Sequence, residues 1–309
     1  SSAVLTDLLR EEMSFDGLLF TDAMDMSAIS RRHSPEEASV RAIEAGADVI
    51  LMPPSVERAV EGIVAAVESG RIDVSRIDAS VRRILETKKQ MGLDVAREVQ
   101  IDRIGEVVGV PAHTEVAAEI AERSITLLSN GRNLLPLLGT RTARVMSVSF
   151  RRTSDVLAGR YFNARLRETY PRLTTAELDV DSGPGLYEDL ARQARQQALV
   201  ILSTYVTAVS YSGSLALPEE LVDFAEQLNE IGVPHIVVSF GNPYLITELP
   251  DVQAYMLAWS GSEASQTAAV RALFGEIEIS GRVPTKIPPL YEIGDGIVIP
   301  QKPGGNGRD

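Results

Sequence analysis

In the stretch FDGLLFTDAMDM, Phe15 to Met26, the apolar run Leu18-Leu19-Phe20 stops at Thr21-Asp22, and a second carboxylate, Asp25, follows three residues later. A carboxylate at the end of a buried strand can act as a nucleophile, a general base or a metal ligand. An Asp before a loop can equally cap a turn, and residue types alone leave both readings open. Met24 and Met26 flank Asp25; as apolar side chains they either pack or line a pocket. The chain has three histidines. His33, in SRRHSPEE, reads as a solvated residue beside a helix cap in the loop after Asp22. His113 opens a helix. His235 begins a buried strand, where a hydrogen-bonded core histidine is expected. No His pair and no group of carboxylates has metal-ligand spacing, so neither metal nor cofactor is expected. Cysteine is absent, which excludes thiol catalysis and disulfides. No G-x-x-x-x-G-K-[ST], G-x-G-x-x-G or G-x-S-x-G occurs, which removes support for phosphate cradles and serine-hydrolase elbows.

The 309 residues carry a formal net charge of -13. Such a chain repels phosphate backbones and anionic membrane surfaces, so nucleic acid is not an expected partner and a neutral substrate fits better. No apolar run reaches the roughly 18 residues of a membrane span. No N-terminal segment has the order of a signal peptide, and the sequence leaves the compartment open.

The elements that must position Asp22 can be read from periodicity and caps. Residues 4–13 predict the end of a helix, and 17–21 a short strand buried on both faces, because its apolar residues are continuous. SPEE at 34–37 predicts a helix with Ser34 as N-cap, Pro35 at the first helical position and Glu37 closing a capping box. Gly46 ends that helix. ADVILMP, 47–53, predicts a second buried strand; Ser55 then caps a helix to Gly70, and SRID at 75–78 starts another that stops at Gly92. This alternation implies a parallel sheet with helical crossovers. Two strands cannot complete such a sheet, so the apolar faces of 17–21 and 47–52 are expected to lack cover. Residues 93–112, with Pro111, read as a linker. From 113 a second alternation begins, with helices predicted over 113–122, 154–168, 186–197, 218–231 and 262–274. Strands are predicted over 124–130, 143–150, 173–180, 198–206, 234–240 and 252–259, the third an edge or half-buried strand. Together they imply a three-layer α/β domain. QKPGGNGRD, after Pro300, predicts a disordered tail.

Three segments together resemble the end of the catalytic barrel of glycoside hydrolase family 3: LLREEMSFDGLLFTDAMDM, RAIEAGADVILMPP and GRIDVSRIDASVRRILETKKQMGL. The β-N-acetylhexosaminidase branch is the nearest match. The run from His235 to Pro288, with LFGE and SGRVP, resembles the end of that family's C-terminal α/β sandwich. The resemblance implies that Asp22 is the nucleophile of a retaining glycosidase, forming a covalent glycosyl-enzyme that water hydrolyses. Met26 becomes a candidate substrate-binding residue. Ser14 stands where Gly is usual, and Thr21 where Ser is commoner; neither departure is expected to touch the chemistry. Glucosidase-like relatives take their acid from a segment matching 204–228, but Ala208 to Ser214 contain no Glu, Asp or Arg. The hexosaminidase branch uses a His held by an Asp on a barrel loop that would precede residue 1, so the general acid is not expected in this chain.

The resemblance thus implies an incomplete TIM-type barrel (last two strands and helices) over 1–92 and a linker over 93–112. A three-layer αβα sandwich over 113–290 and a tail over 291–309 follow. An eight-stranded barrel takes about 250 residues, so most of it is expected to lie outside the chain. The expected partners are a β-linked N-acetylhexosamine glycoside and the missing barrel segment of the same protein. The expected function is removal of terminal β-linked N-acetylhexosamine, with the chain inactive alone. The alternatives are a β-glucosidase, β-xylosidase or glycoside phosphorylase on the same scaffold, or a non-catalytic α/β module.

Overall fold

The computed structural model describes residues 1–137, 140–207, 216–249 and 251–303, in two compact units, Ser1–Ile104 and Gly105–Asp309. The first unit opens on a π-helix, Ala3–Glu12. It continues through β1 (Phe20–Ala23), the single turn α1 (Ser27–Ser30), α2 (Pro35–Ala45), β2 (Val49–Leu51), α3 (Val56–Glu68) and α4 (Val74–Gln90). β1 and β2 pair in parallel and, among the described residues, form a two-stranded sheet. Behind it Val40, Ile43, Ala66 and Ile72 form a small core with Ile50, Ile63, Val67 and Ile77 packed on it.

The caps explain where these helices start. Ser34 Oγ accepts the Glu37 N–H, and Ser55 Oγ accepts the Arg58 N–H, both at 3.3 Å. Gly46 ends α2 with φ 116°, a conformation that needs no Cβ. Two readings are corrected. Glu37 closes no capping box, because its carboxylate is held by Arg71 and Arg41, a pairing that lowers its pKa to about 2. The cap of α4 is Asp73, whose carboxylate accepts the Ser75 N–H at 2.8 Å, so Ser75 lies inside the helix.

β1 also differs from its prediction. Gly17 to Leu19 precede it, and Asp22 is its third residue. Nor is it buried on both faces: Phe20 is 56% exposed. Cover for that face would need neighbouring strands, as the two-strand argument anticipated. Ser14, before β1, sits at φ 55°. A left-handed L-residue costs about 1–2 kcal/mol, which gives a physical reason for glycine there. Ser14→Gly is expected to stabilise this unit by about 0.5–1 kcal/mol after the extra chain entropy of glycine is deducted. A higher urea midpoint checks this, and an unchanged or lower one refutes it.

In the second unit α5 (Pro111–Ser124) precedes β3 (Thr126–Asn130) and β4 (Val145–Phe150). Then follow α6 (Arg160–Thr169), β5 (Thr174–Leu178), α7 (Pro184–Ala194), β6 (Leu199–Thr204), α8 (Glu219–Ile231), β7 (His235–Ser239), β8 (Ala254–Leu257) and α9 (Glu263–Leu273). The sheet order is β3-β8-β7-β6-β4-β5, parallel except for β3 against β8. Alternate residues face opposite layers. Ile201, Val238 and Met256 join Phe162, Ala268 and Leu273 on one side. Leu202, Val237 and Tyr255 join Leu190, Leu221 and Phe224 on the other. This is the three-layer αβα sandwich, with β5 on an edge.

Three boundaries moved. Pro111, read as linker, is the first residue of α5, where its missing N–H costs nothing. The helix predicted from 154 starts at Arg160: Gly159 breaks it at φ 77°, and buried Gln266 Oε1 accepts the N–H groups of Tyr161 and Phe162 at 3.1 Å. Part of the predicted tail is tied down. Ile297 donates its N–H to Leu127, Ile299 exchanges hydrogen bonds with Ile279, and Lys302 Nζ reaches the Leu137 carbonyl at 2.8 Å. Residues 304–309 lie outside the described residues.

Candidate active site

Parallel strands carry their loops at a common carboxyl end, so Asp22 and its following loop share a rim with Met52 and Pro53 beyond β2. Asp22 is exposed there, and its Oδ1 accepts the N–H of Ala23 at 2.7 Å. Among the described residues nothing bonds Oδ2. Asp25 is also exposed, and its backbone carbonyl accepts the Ser30 hydroxyl at 3.2 Å. Met24 is buried under the loop, whereas Met26 is 43% exposed. Met24, though buried, also lines two small cavities with Ile29 and His33. Met52, which the sequence does not single out, stands on the same rim at φ 45° and 64% exposed. Such backbone outliers collect at functional sites, but no pattern in the one-dimensional sequence marks them.

His33 lines a small cavity of about 100 Å³ with Met24, Ile29, Ser39 and Pro54. Asp22 does not line it. His113, near the start of α5, lines an apolar groove of about 760 Å³ with Ala117, Ala264 and Ala268. His235 is buried on β7. Its Nδ1 is 3.1 Å from the Val233 carbonyl, and among the described residues its Nε2 has no partner. Burial lowers its pKa. Among the described residues no group of His, Cys, Asp or Glu could hold a metal ion. Ala208 to Ser214, where a glucosidase-type acid was sought, lie outside the described residues.

The group that holds the segment leading into β1 is one the sequence reading did not single out. Asp48, at the foot of β2, has a side chain with no solvent exposure. Its Oδ2 accepts from the Leu19 N–H at 3.0 Å and from Arg10 at 2.6 Å; its Oδ1 accepts from Ser80 at 2.5 Å and Arg83 at 3.0 Å. Arg10 also donates to the carbonyls of Phe15 and Gly17. One carboxylate thus gathers the π-helix, the entry to β1, β2 and α4. Burial pushes its pKa up, but the Ser80 hydroxyl, the Leu19 N–H, Arg10 and Arg83 outweigh that and hold it below the usual range. The available signal was an acid inside the apolar run ADVIL, since an unpaired buried Asp is rare.

At the other end of β1 the register shifts. Phe20 pairs with Val49 and Ala23 with Leu51, so β1 spends one residue more than β2. The Leu51 N–H donates to Thr21 Oγ1 at 3.0 Å, and the Met24 N–H to the Leu51 carbonyl at 3.0 Å.

Comparison with known proteins adds a family. Residues 1–87 match the glycosyl hydrolase family 3 N terminal domain, and residues 125–293 its C-terminal domain. A beta-N-acetylglucosaminidase/beta-glucosidase of Cellulomonas fimi is 25% identical over 294 residues, covering 91% of this chain and 51% of that protein. The structure of a family 3 beta-N-acetylglucosaminidase from a Paenibacillus species superposes with a TM-score of 0.71 at 29% identity. That match covers 90% of this chain and 53% of that one. A beta-glucoside phosphorylase structure gives a TM-score of 0.69 at 25% identity, covering 89% and 50%. The chain therefore spans about half the length of these relatives. No helix among the described residues is long and apolar enough to cross a membrane.

Proposed function

We propose, from the premise that this chain belongs to glycoside hydrolase family 3, that Asp22 is the nucleophile of a retaining β-N-acetylhexosaminidase. The observation that carries the reading is the Asp22 carboxylate itself. It is exposed on the strand rim, with one oxygen held by the Ala23 N–H and the other unbonded among the described residues. In the first step Oδ2 attacks the anomeric carbon, and the bond from that carbon to the leaving oxygen breaks. A proton donor outside these 309 residues protonates the leaving oxygen. In the second step water attacks the same carbon and gives its proton to the now deprotonated donor, the bond from that carbon to Asp22 Oδ2 breaks, and configuration is retained overall. Met26 contributes apolar contact to the sugar from the loop after β1.

Turnover then needs polypeptide beyond this chain, which brings the nucleophile but not the acid. The purified 309-residue chain is expected not to cleave an aryl β-N-acetylglucosaminide, while the full-length enzyme cleaves it faster than the matching glucoside. Turnover by the chain alone at the rate of the full-length enzyme would refute the divided site. The likeness to a phosphorylase and to a dual-named relative supports a second reading, a β-glucosidase or phosphorylase on this scaffold. A full-length enzyme indifferent to the 2-acetamido group, or dependent on phosphate, would establish that reading instead.

A further inference from the structure

Asp22 lies inside an irregular stretch of β1, and a side chain accepts a hydrogen bond across it. Between Phe20 and Ala23 the strand advances three residues while β2 advances two from Val49 to Leu51. A one-residue excess bends a strand and re-aims the side chain it carries. Here the Leu51 N–H finds Thr21 Oγ1 at 3.0 Å, and the ladder resumes with the Met24 N–H on the Leu51 carbonyl at 3.0 Å. The Thr21 hydroxyl is thus the pin immediately before Asp22, and the Ala23 N–H on Asp22 Oδ1 is the pin immediately after.

We propose that Thr21 is a positioning residue. Its hydroxyl accepts the Leu51 N–H, fixes the irregular register and thereby sets the direction in which Asp22 presents Oδ2. This rests on the reading of Asp22 as the nucleophile. It gives a reason for the sequence expectation that the Thr-for-Ser departure does not touch the chemistry. Serine and threonine offer the same acceptor, and that acceptor is what the strand uses. Valine matches threonine in shape but offers none.

The test compares Thr21→Val and Thr21→Ser in the full-length enzyme, with Asp22→Asn as control, using an aryl glycoside and an activated fluoro-sugar that traps the glycosyl-enzyme. Misplacing a reacting atom by about 1 Å costs on the order of 100-fold. Thr21→Val is therefore expected to lower kcat and the trapping rate about 10- to 100-fold with KM changed less than about threefold. Thr21→Ser is expected to stay within about threefold of the wild type. In parallel, amide exchange at Leu51 should accelerate about 10-fold or more in Thr21→Val and not in Thr21→Ser. Wild-type kinetics in Thr21→Val overturn the proposal. So does equal impairment in Thr21→Ser, which would assign the effect to the methyl group. If Asp22→Asn itself still traps the sugar, the nucleophile reading fails instead, and the Leu51 exchange data still decide whether Thr21 holds the strand.

Discussion

Asp22→Asn in the full-length enzyme is expected to abolish fluoro-sugar trapping and to lower turnover of an aryl β-N-acetylglucosaminide by roughly three to six orders of magnitude, the range seen when a covalent nucleophile is removed. Asparagine keeps the shape of the side chain, and its amide oxygen can still accept the Ala23 N–H that Asp22 Oδ1 now accepts at 2.7 Å. It lacks the charged oxygen that must form the bond to the anomeric carbon. Because Asp22 is exposed, the variant should melt with the wild type, and KM should move little. The competing reading, Asp22 as a turn brace, gives a different outcome. Asparagine caps turns as well as aspartate does, so a brace would leave both turnover and stability unchanged. Near-wild-type turnover in Asp22→Asn would therefore remove Asp22 from the chemistry whatever the family.

The two cases that sequence read well and badly differ in range. Ser34 and Ser55 were legible as caps because a cap and its N–H acceptor relation span three residues. The apolar runs of β6, β7 and β8 were legible because they are continuous, every residue facing one covered layer or the other. Asp73 was missed in favour of Ser75 because both residues are good caps and only helix geometry decides between them. The start of α6 was missed because its cap comes from Gln266, about a hundred residues away. The candidate site divides in the same way. The apolar run before Thr21 put Asp22 at a strand end, and the resemblance implied its role, while the register shift at Thr21 and the four donors on Asp48 exist only after β1, β2, the π-helix and α4 have come together. The deviation at Ser14 was visible only as an unusual residue, and its cause is a backbone angle.

Asp48 carries the largest expected effect on stability. Its carboxylate is fully buried and accepts four hydrogen bonds from Arg10, Leu19, Ser80 and Arg83. Removing one partner of a buried charge network typically costs about 3–5 kcal/mol, because the remaining charges stay desolvated and unpaired. A domain has about 5–15 kcal/mol in total, and the first unit has only a small core, so Asp48→Ala is expected to unfold it at or near room temperature. The single tryptophan, Trp259, lies in the second unit, where its indole donates to the Ser124 carbonyl at 2.9 Å. Helical circular dichroism should therefore fall while Trp259 emission keeps its folded spectrum, and proteolysis should remove residues before 105 first. The wild type should show the same loss in acid. Its folded-state pKa lies below the unfolded value of about 3.9, so the stabilisation is complete above that value and disappears as pH falls through the folded pKa. Asp48→Asn, which cannot titrate, should lack this component of the acid transition and start from a lower plateau at neutral pH. An Asp48→Ala chain that melts with the wild type would mean that Arg10, Ser80 and Arg83 hold β1 without the carboxylate, and the placement of Asp22 would need another anchor.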